Sequence, residues 1–289
     1  MKASEYRVYN RDRSYIPRVA AVHDMCGYGK CSLGVAIPVL SAGGCDVCPV
    51  PTSLFSSHTL YETWTMHDTT EMLPEYLDAW KKIGVDIDAI YSGFLGSAAQ
   101  VDIIKQLYET YVHALHIVDP VMGDGGKPYP TYTPELCQAM VGLVDGADLL
   151  TPNLTEAAII TGGEYQGQNI GEDEVKRIID KLLAAGAKNV VLKGIERGDG
   201  KVRNYLAGQD VDFDYTTHEL LPFKLHGTGD LFCSALAASI MAGRDLFSST
   251  QFAGEVVHDA MIVTKDQPEY QLRGVSFELV LGKVAALLL

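Results

Sequence analysis

The sequence predicts an α/β fold: a three-layer α/β/α sandwich around a central, mostly parallel sheet. Apolar, strand-like runs alternate along the chain with longer segments of helical periodicity, the pattern of repeated strand–helix–strand units. Several runs are apolar almost throughout, as strands are when helices cover both faces of a sheet. With 289 residues, 47% of them apolar and 21% charged, the chain can bury a large core.

Taken in order, residues 1–17 are polar and charged and are expected to form a flexible N-terminal segment without a signal core. Residues 18–289 are expected to form one domain with no internal repeat or linker. The candidate strands are RVAAVHD (18–24), CDVCPVPT (45–52), DAIYSGFLG (88–96), LHIVDPV (115–121), ADLLTPN (147–153), NVVLKG (189–194) and VRNYLAG (202–208). Between them, SLGVAIPVLSAGG and LPEYLDAWKKIG read as helices, as does AAQVDIIKQLYETYV with its stripe of Val101, Ile104, Leu107, Tyr108 and Tyr111. The closing FELVLGKVAALLL reads as a packed amphipathic helix with Lys283 exposed.

Composition excludes several functions. A net charge of −14 and a pI near 4.9 leave no basic footprint for nucleic acid. No apolar run reaches membrane-spanning length. The six cysteines include a CxxC at 45–48, but positions three apart on a strand face opposite ways, so free thiols in a reducing cytoplasm are expected rather than a zinc site.

In a parallel sheet the ligand rim lies at the carboxyl ends of the strands. Here HDMCGYGK, SGFLGS, DPVMGDGGK, TPNLTE and KG follow successive strands, so polar and glycine-rich loops converge there. GYGKCS (27–32) is not a P-loop, since Asp24 stands at the first glycine position and Cys31 at the hydroxyl; it reads as a tight turn into the next helix. Asp24 either caps that turn or hydrogen-bonds a substrate hydroxyl or amine. Asn153 or Thr155 can cap the helix after TPN, with Glu156 in its first turn. Asp119 and Glu156 together offer hard oxygens for Mg2+, through water. HGTGD (226–230) carries the most chemistry: free N–H groups at Gly227, Thr228 and Gly229 can hold an oxyanion, and Asp230 beside them suits a base that takes a proton from an attacking hydroxyl. The alternative is a plain helix-terminal aspartate. His226 is expected to pack rather than to catalyse.

With these residues in view, the chain resembles the ribokinase-like small-molecule kinases, and within them the pyridoxal/pyridoxine/pyridoxamine kinases of vitamin B6 salvage. The resemblance spans residues 18–270 and rests on FSSHTLY, SGFLGS, VDPVMGD, TPNLTEAAIITG and GTGDLF. It implies transfer of the γ-phosphoryl group of ATP to the hydroxymethyl group of a B6 vitamer, with Mg2+ and K+ or Na+, by a cytoplasmic homodimer. It implies Asp230 as the base and Gly227, Thr228 and Gly229 as the anion hole. Asp119, Thr151 and Glu156 would form the metal and cation shell, Asn153 and Lys193 would lie near the nucleotide phosphates, and Thr59 and Phe94 near the vitamer ring. The stretch HELLPFK (218–224) would line the adenine.

Two departures stand out. The family usually has serine where Asp24 stands, and an aspartate there could accept from a protonated ring nitrogen or from an amine, pointing toward pyridoxamine. Phe94 replaces a tyrosine and loses its hydroxyl. Hydroxymethylpyrimidine kinases of thiamine synthesis share the fold but commonly have cysteine where Asp230 follows GTG. A catalytically silent vitamer binder would have no use for Asp230 and the metal carboxylates together, and a sugar or nucleoside kinase ranks lower still.

Overall fold

The computed structural model describes all 289 residues. Its elements, in order, are β1 (Arg18–Tyr28), α1 (Leu33–Ala42), β2 (Asp46–Ser57), β3 (Met66–Asp68), α2 (Leu73–Ile83), β4 (Ala89–Ser92), α3 (Ala98–Thr110), β5 (Leu115–Val118), β6 (Gly123–Asp124), β7 (Lys127–Pro128), α4 (Pro134–Val141), β8 (Leu149–Leu150), α5 (Leu154–Thr161) and α6 (Glu172–Ala184). They continue with β9 (Asn189–Glu196), β10 (Lys201–Gly208), β11 (Asp214–Glu219), α7 (Thr228–Met241), α8 (Leu246–Thr264), α9 (Tyr270–Arg273) and α10 (Leu281–Ala285).

Nine strands form one sheet in the order β11-β10-β9-β8-β5-β4-β1-β2-β3, and β6 and β7 make a separate hairpin. Strands β9, β8, β5, β4, β1 and β2 run parallel; β10 pairs antiparallel with β9 and with the edge strand β11, and β3 pairs antiparallel with β2 at the other edge. The two-residue period of a strand explains the layering. On β1, Ala20 and Val22 join one core while Val19 and Ala21 join the other. On β9, Val190 and Leu192 face the first and Val191 the second. Leu77 of α2, Ile104 of α3, Leu136 of α4 and Val175 of α6 close the first core; Leu40 of α1, Leu236 of α7 and Val256 of α8 close the second. The sheet is therefore covered on both faces, as the apolar runs require.

The strands differ from their sequence-based bounds in an informative way. β1 and β2 run on to Tyr28 and Ser57, past the expected ends at 24 and 52, and a register irregularity between His23 and Met25 marks where they leave the layered body. The GYG stretch is thus mostly strand rather than turn. Strands β4, β5 and β8 stop early, leaving Gly93, Asp119 and Thr151 outside the ladder. The edges β3 and β11 were not expected, because MHD and DYTTHE are too polar to register as buried strands.

The first seventeen residues, expected to be flexible, lie against the body. Ala3 is buried, its carbonyl accepts from the Phe247 N–H, the Tyr6 carbonyl accepts from Leu246, and the Arg11 guanidinium donates to Gly44. Polar side chains disguise this docking in the sequence. The C-terminus is a 3-10 turn, the short α10 and a second 3-10 turn rather than one helix, and Lys283 is tied to Glu255 and Asp259 at 3.1 and 2.9 Å. All six cysteines are free thiols. No helix is long and apolar enough to cross a membrane.

Candidate active site

A cavity of about 530 Å3 opens along the carboxyl ends of the parallel strands. It begins at the switch point of the sheet, where β1 is followed on one side by β2 and on the other by β4, the place where such sheets bind ligands. There Asp24, Cys31, Phe55, Thr59 and Phe94 form its wall. Toward the other edge, Leu220, Leu221 and Phe223 from the segment after β11, with Val257 and Met261 of α8, make an apolar slot. Asp119, Glu156, Lys193 and the start of α7 lie between the two ends.

α7 is buried from Leu231 to Met241, so its axis is fixed and its N-terminus is aimed by the core. Gly227, at φ 80°, makes the entry turn; a Cβ there would lie 2.0 Å from the Lys30 carbonyl oxygen. Gly229 differs: a Cβ built on it meets nothing within 4 Å and would project into open space. Thr228 anchors the turn by donating its hydroxyl to the Leu225 carbonyl at 3.2 Å. The N–H groups of Thr228, Gly229 and Asp230 make no backbone hydrogen bond, which leaves a helix terminus free to take an anion.

Asp230 sits on that turn with its carboxyl pushed up to about 7, first by burial and then by Asp119 and Asp24; Ser32 N–H and Lys193 oppose the shift. Asp24 is 5% exposed, and burial raises its carboxyl to about 6 against the pull of the Ser32 hydroxyl. Ser32 itself has φ 51° at the start of α1, a conformation costly for a residue with a Cβ. It was missed in the sequence, since only glycine advertises such a backbone.

Asp119 follows β5 and is ion-paired with Lys193 Nζ, which also donates to Cys233 Sγ at 3.2 Å. Burial alone would lower the Lys193 pKa, but Asp119 and its neighbours hold it well above its usual value, so the ammonium is permanent. Glu156 completes a capping box with Asn153: its Oε2 accepts from Asn153 N–H at 2.7 Å, Asn153 Oδ1 accepts from Glu156 N–H at 3.0 Å, and Met122 N–H donates to Oε1 at 3.3 Å. Burial raises its carboxyl to about 8, with Lys193 opposing and Asp119 adding to the shift. Asn153 also donates to the Gly123 carbonyl at 2.9 Å, tying α5 to the β6–β7 hairpin.

Twelve residues were singled out in the sequence for chemistry or binding: Asp24, Thr59, Phe94, Asp119, Thr151, Asn153, Glu156, Lys193, Gly227, Thr228, Gly229 and Asp230. All but Thr151 line the one cavity. Thr151 is fully buried behind it, its hydroxyl donating to Val118 O or Asp119 Oδ1 at 3.3 Å and accepting from Cys233 Sγ at 3.2 Å. It can orient Asp119 but does not reach a ligand. Phe94 packs edge-on against Phe55 and Tyr132, at 5.7 and 5.5 Å between centroids. His58 and His226 were not expected to act together; their rings lie 4.5 Å apart, His58 meets the Leu272 carbonyl, and both pKa values are lowered by burial. The HELLPFK stretch does line the apolar slot, from His218 to Lys224.

The sandwich, the anion-ready helix terminus and the carboxylate–lysine cluster together define a small-molecule kinase. The sequence profile of the phosphomethylpyrimidine kinase family matches residues 37–272, and the chain belongs to that family. Its curated relatives include the pyridoxal kinase PdxY of Proteus mirabilis, 30% identical over 247 residues, covering 80% of this chain and 83% of the relative. The PdxY of Pseudomonas aeruginosa is 28% identical over 269 residues, with coverage of 89% and 91%. A crystal structure from Bacteroides thetaiotaomicron, of a protein assigned as a phosphomethylpyrimidine kinase and holding pyridoxal, superposes with a TM-score of 0.89 at 32% identity, covering 93% and 96% of the two chains. Pyridoxal kinase from Lactobacillus plantarum gives 0.87 at 28% identity, covering 94% and 98%.

Proposed function

We propose that the protein transfers the γ-phosphoryl group of ATP to the hydroxymethyl group of a B6 vitamer (pyridoxamine, pyridoxal or pyridoxine), in the cytoplasm. One observation carries the reading: Asp230 lies in the cavity on the free N-terminus of α7, with its carboxyl near 7. A carboxylate so tuned is ionised enough at neutral pH to take the hydroxyl proton, yet basic enough to hold it.

In this reading the vitamer lies at the switch-point end, its ring against Phe94 and Phe55 and its polar edge toward Thr59. The hydroxymethyl oxygen faces Asp230. As the oxygen attacks the γ-phosphorus, its proton passes to the Asp230 carboxylate and the bond to ADP breaks. Charge on the phosphoryl oxygens is met by the N–H groups of Thr228 and Gly229 and by the Lys193 ammonium, all in place beforehand. The adenine occupies the slot of Leu220, Leu221, Phe223, Val257 and Met261, which places the triphosphate beside Asn153 and Lys193.

Mg2+ fits the donor set. Asp119 and Glu156 are buried hard carboxylates; burial chiefly, and repulsion by Asp119 in addition, raise the Glu156 pKa, and a divalent cation would relieve both. No three His, Cys, Asp or Glu side chains are gathered so as to hold a metal, so beyond Asp119 and Glu156 water and phosphate oxygens would complete the shell. Bound there through Asp119 and Glu156, the ion would neutralise phosphate charge, and K+ or Na+ accompanies it in this proposal.

The test is phosphate transfer from Mg-ATP to the three vitamers and to hydroxymethylpyrimidine. Asp230→Asn should lose roughly 10²- to 10⁴-fold in kcat while still binding vitamer. Turnover on the pyrimidine alone would move the substrate to thiamine synthesis, and turnover untouched by the substitution would refute Asp230 as the base.

A further inference from the structure

We propose that Asp24 selects among the vitamers: its carboxylate receives the ammonium of an aminomethyl substituent, so that pyridoxamine is preferred over pyridoxal and pyridoxine. This rests on the B6 kinase reading above and deepens it.

Asp24 is 5% exposed yet contributes to the cavity wall. A buried carboxylate normally has a cation beside it, because leaving the charge without one in a low-dielectric site is costly. Asp24 has none. The cavity is lined by two lysines and no arginine; Lys193 is paired with Asp119, and Lys224 with Glu196 at 3.3 Å. The titratable groups that face Asp24 are Asp230, Cys26, Cys31 and Tyr132, each of which is either neutral or negative. Cys26 and Cys31 pack with Phe55 into a small apolar cluster, so the surroundings offer little solvation. Only the Ser32 hydroxyl and Asp24's own backbone N–H support the charge. Ser32 also holds a positive φ of 51°, a local cost of the kind that persists at ligand sites.

The missing counterion is therefore one the ligand brings. Of the three vitamers, only pyridoxamine carries an alkylammonium, a full cation at neutral pH like that of lysine. It would form a charge-assisted hydrogen bond with Asp24, stronger than any neutral pair. The aldehyde of pyridoxal presents an acceptor oxygen to an acceptor carboxylate, and the second hydroxymethyl group of pyridoxine gives a neutral bond. The ring nitrogen is common to all three and cannot discriminate among them. The ammonium would also lie near Asp230, so the same cation relieves the repulsion between the two aspartates.

The experiment is steady-state phosphorylation of all three vitamers by the wild-type protein, Asp24→Asn and Asp24→Ser, with ADP binding and thermal melting as folding controls. Wild type should favour pyridoxamine. Both variants should lower the ratio of kcat/KM for pyridoxamine over pyridoxal by roughly 10- to 100-fold, mostly through KM. A proportionate loss on every vitamer would mean that Asp24 meets a group common to all, such as the ring nitrogen, and would overturn the proposal. Equal use of the vitamers by wild type would overturn it without any variant, so a misfolded substitution leaves the question answerable. No turnover on any vitamer by wild type would remove the kinase reading itself and this inference with it.

Discussion

Asp230 and Asp24 show how a site can work against the stability of the chain that holds it. Their carboxyls stand at about 7 and about 6, above the 3.8 of an exposed aspartate, chiefly because burial disfavours the charge. Above 3.8 and below those values, the folded chain retains protons that the unfolded chain has lost. The destabilisation from ionising them is therefore absent below about pH 4 and complete above about pH 7, so ligand-free stability from this pair falls as pH rises across that window. Asp230→Asn removes one of the charges. Its ligand-free melting temperature at pH 8 should exceed that of wild type by roughly 2–4 °C for each kcal/mol relieved, and the gap should shrink as pH falls and vanish at about pH 4 or below. Thermal denaturation across that range checks this; a variant less stable than wild type at pH 8 would mean that the carboxylate makes stabilising native contacts. Such a gain in stability with loss of activity is what a site built for transition-state charge should show.

The entry turn of α7 was the most legible element, because two glycines flanking a threonine ahead of an apolar helix have few structural uses. Its two glycines nevertheless differ in a way the sequence does not reveal. A methyl group on Gly227 would strike the Lys30 carbonyl from a backbone at φ 80°, whereas one on Gly229 enters open space. Gly227→Ala should therefore cost several kcal/mol or reshape the loop, since strain and overlap act together. Gly229→Ala should melt like wild type and lose activity, because its methyl crowds the anion position. Melting curves and kcat/KM for the pair separate the effects, and equal melting of both variants would contradict the steric account. Legibility ended where the backbone rather than residue type decides. Ser32 gave no sign of its positive φ, and Thr151 looked as suitable a ligand as Asn153 until β8 stopped at Leu150 and the hydroxyl turned behind the cavity. The extensions of β1 and β2 were hidden because Asp24 and Gly27 in β1, and Ser53, Ser56 and Ser57 in β2, interrupt the apolar pattern. The central strands and the rim aspartates, by contrast, follow from apolar runs ending in a polar residue, a signal that survives without tertiary information.

Those extensions bear on the whole molecule. Met25 and Leu54 are register partners on β1 and β2, and both are exposed, as are Leu60 and Trp64 just beyond β2. Met25 and Leu54, side by side and both exposed on a chain of net charge −14, form an apolar patch that suits a partner surface. A homodimer of the kind the family resemblance implies would bury this face beside the substrate end of the cavity, where Phe55 of β2 lines the wall and its ring lies tilted 5.9 Å from that of Trp64. Two protomers of the same negative charge repel at long range, so apolar burial must drive the association and salt must assist it by screening. Light scattering should accordingly give twice the 31.4 kDa of one chain, with the dimer fraction rising from low to moderate ionic strength. Leu54→Asp places a carboxylate at the centre of the patch and should shift the protein to monomer, with KM for the vitamer rising because the neighbouring wall loses its support. A dimer that persists in Leu54→Asp, or one that dissociates as salt is added, would place the interface on a polar face elsewhere and leave this patch without a partner.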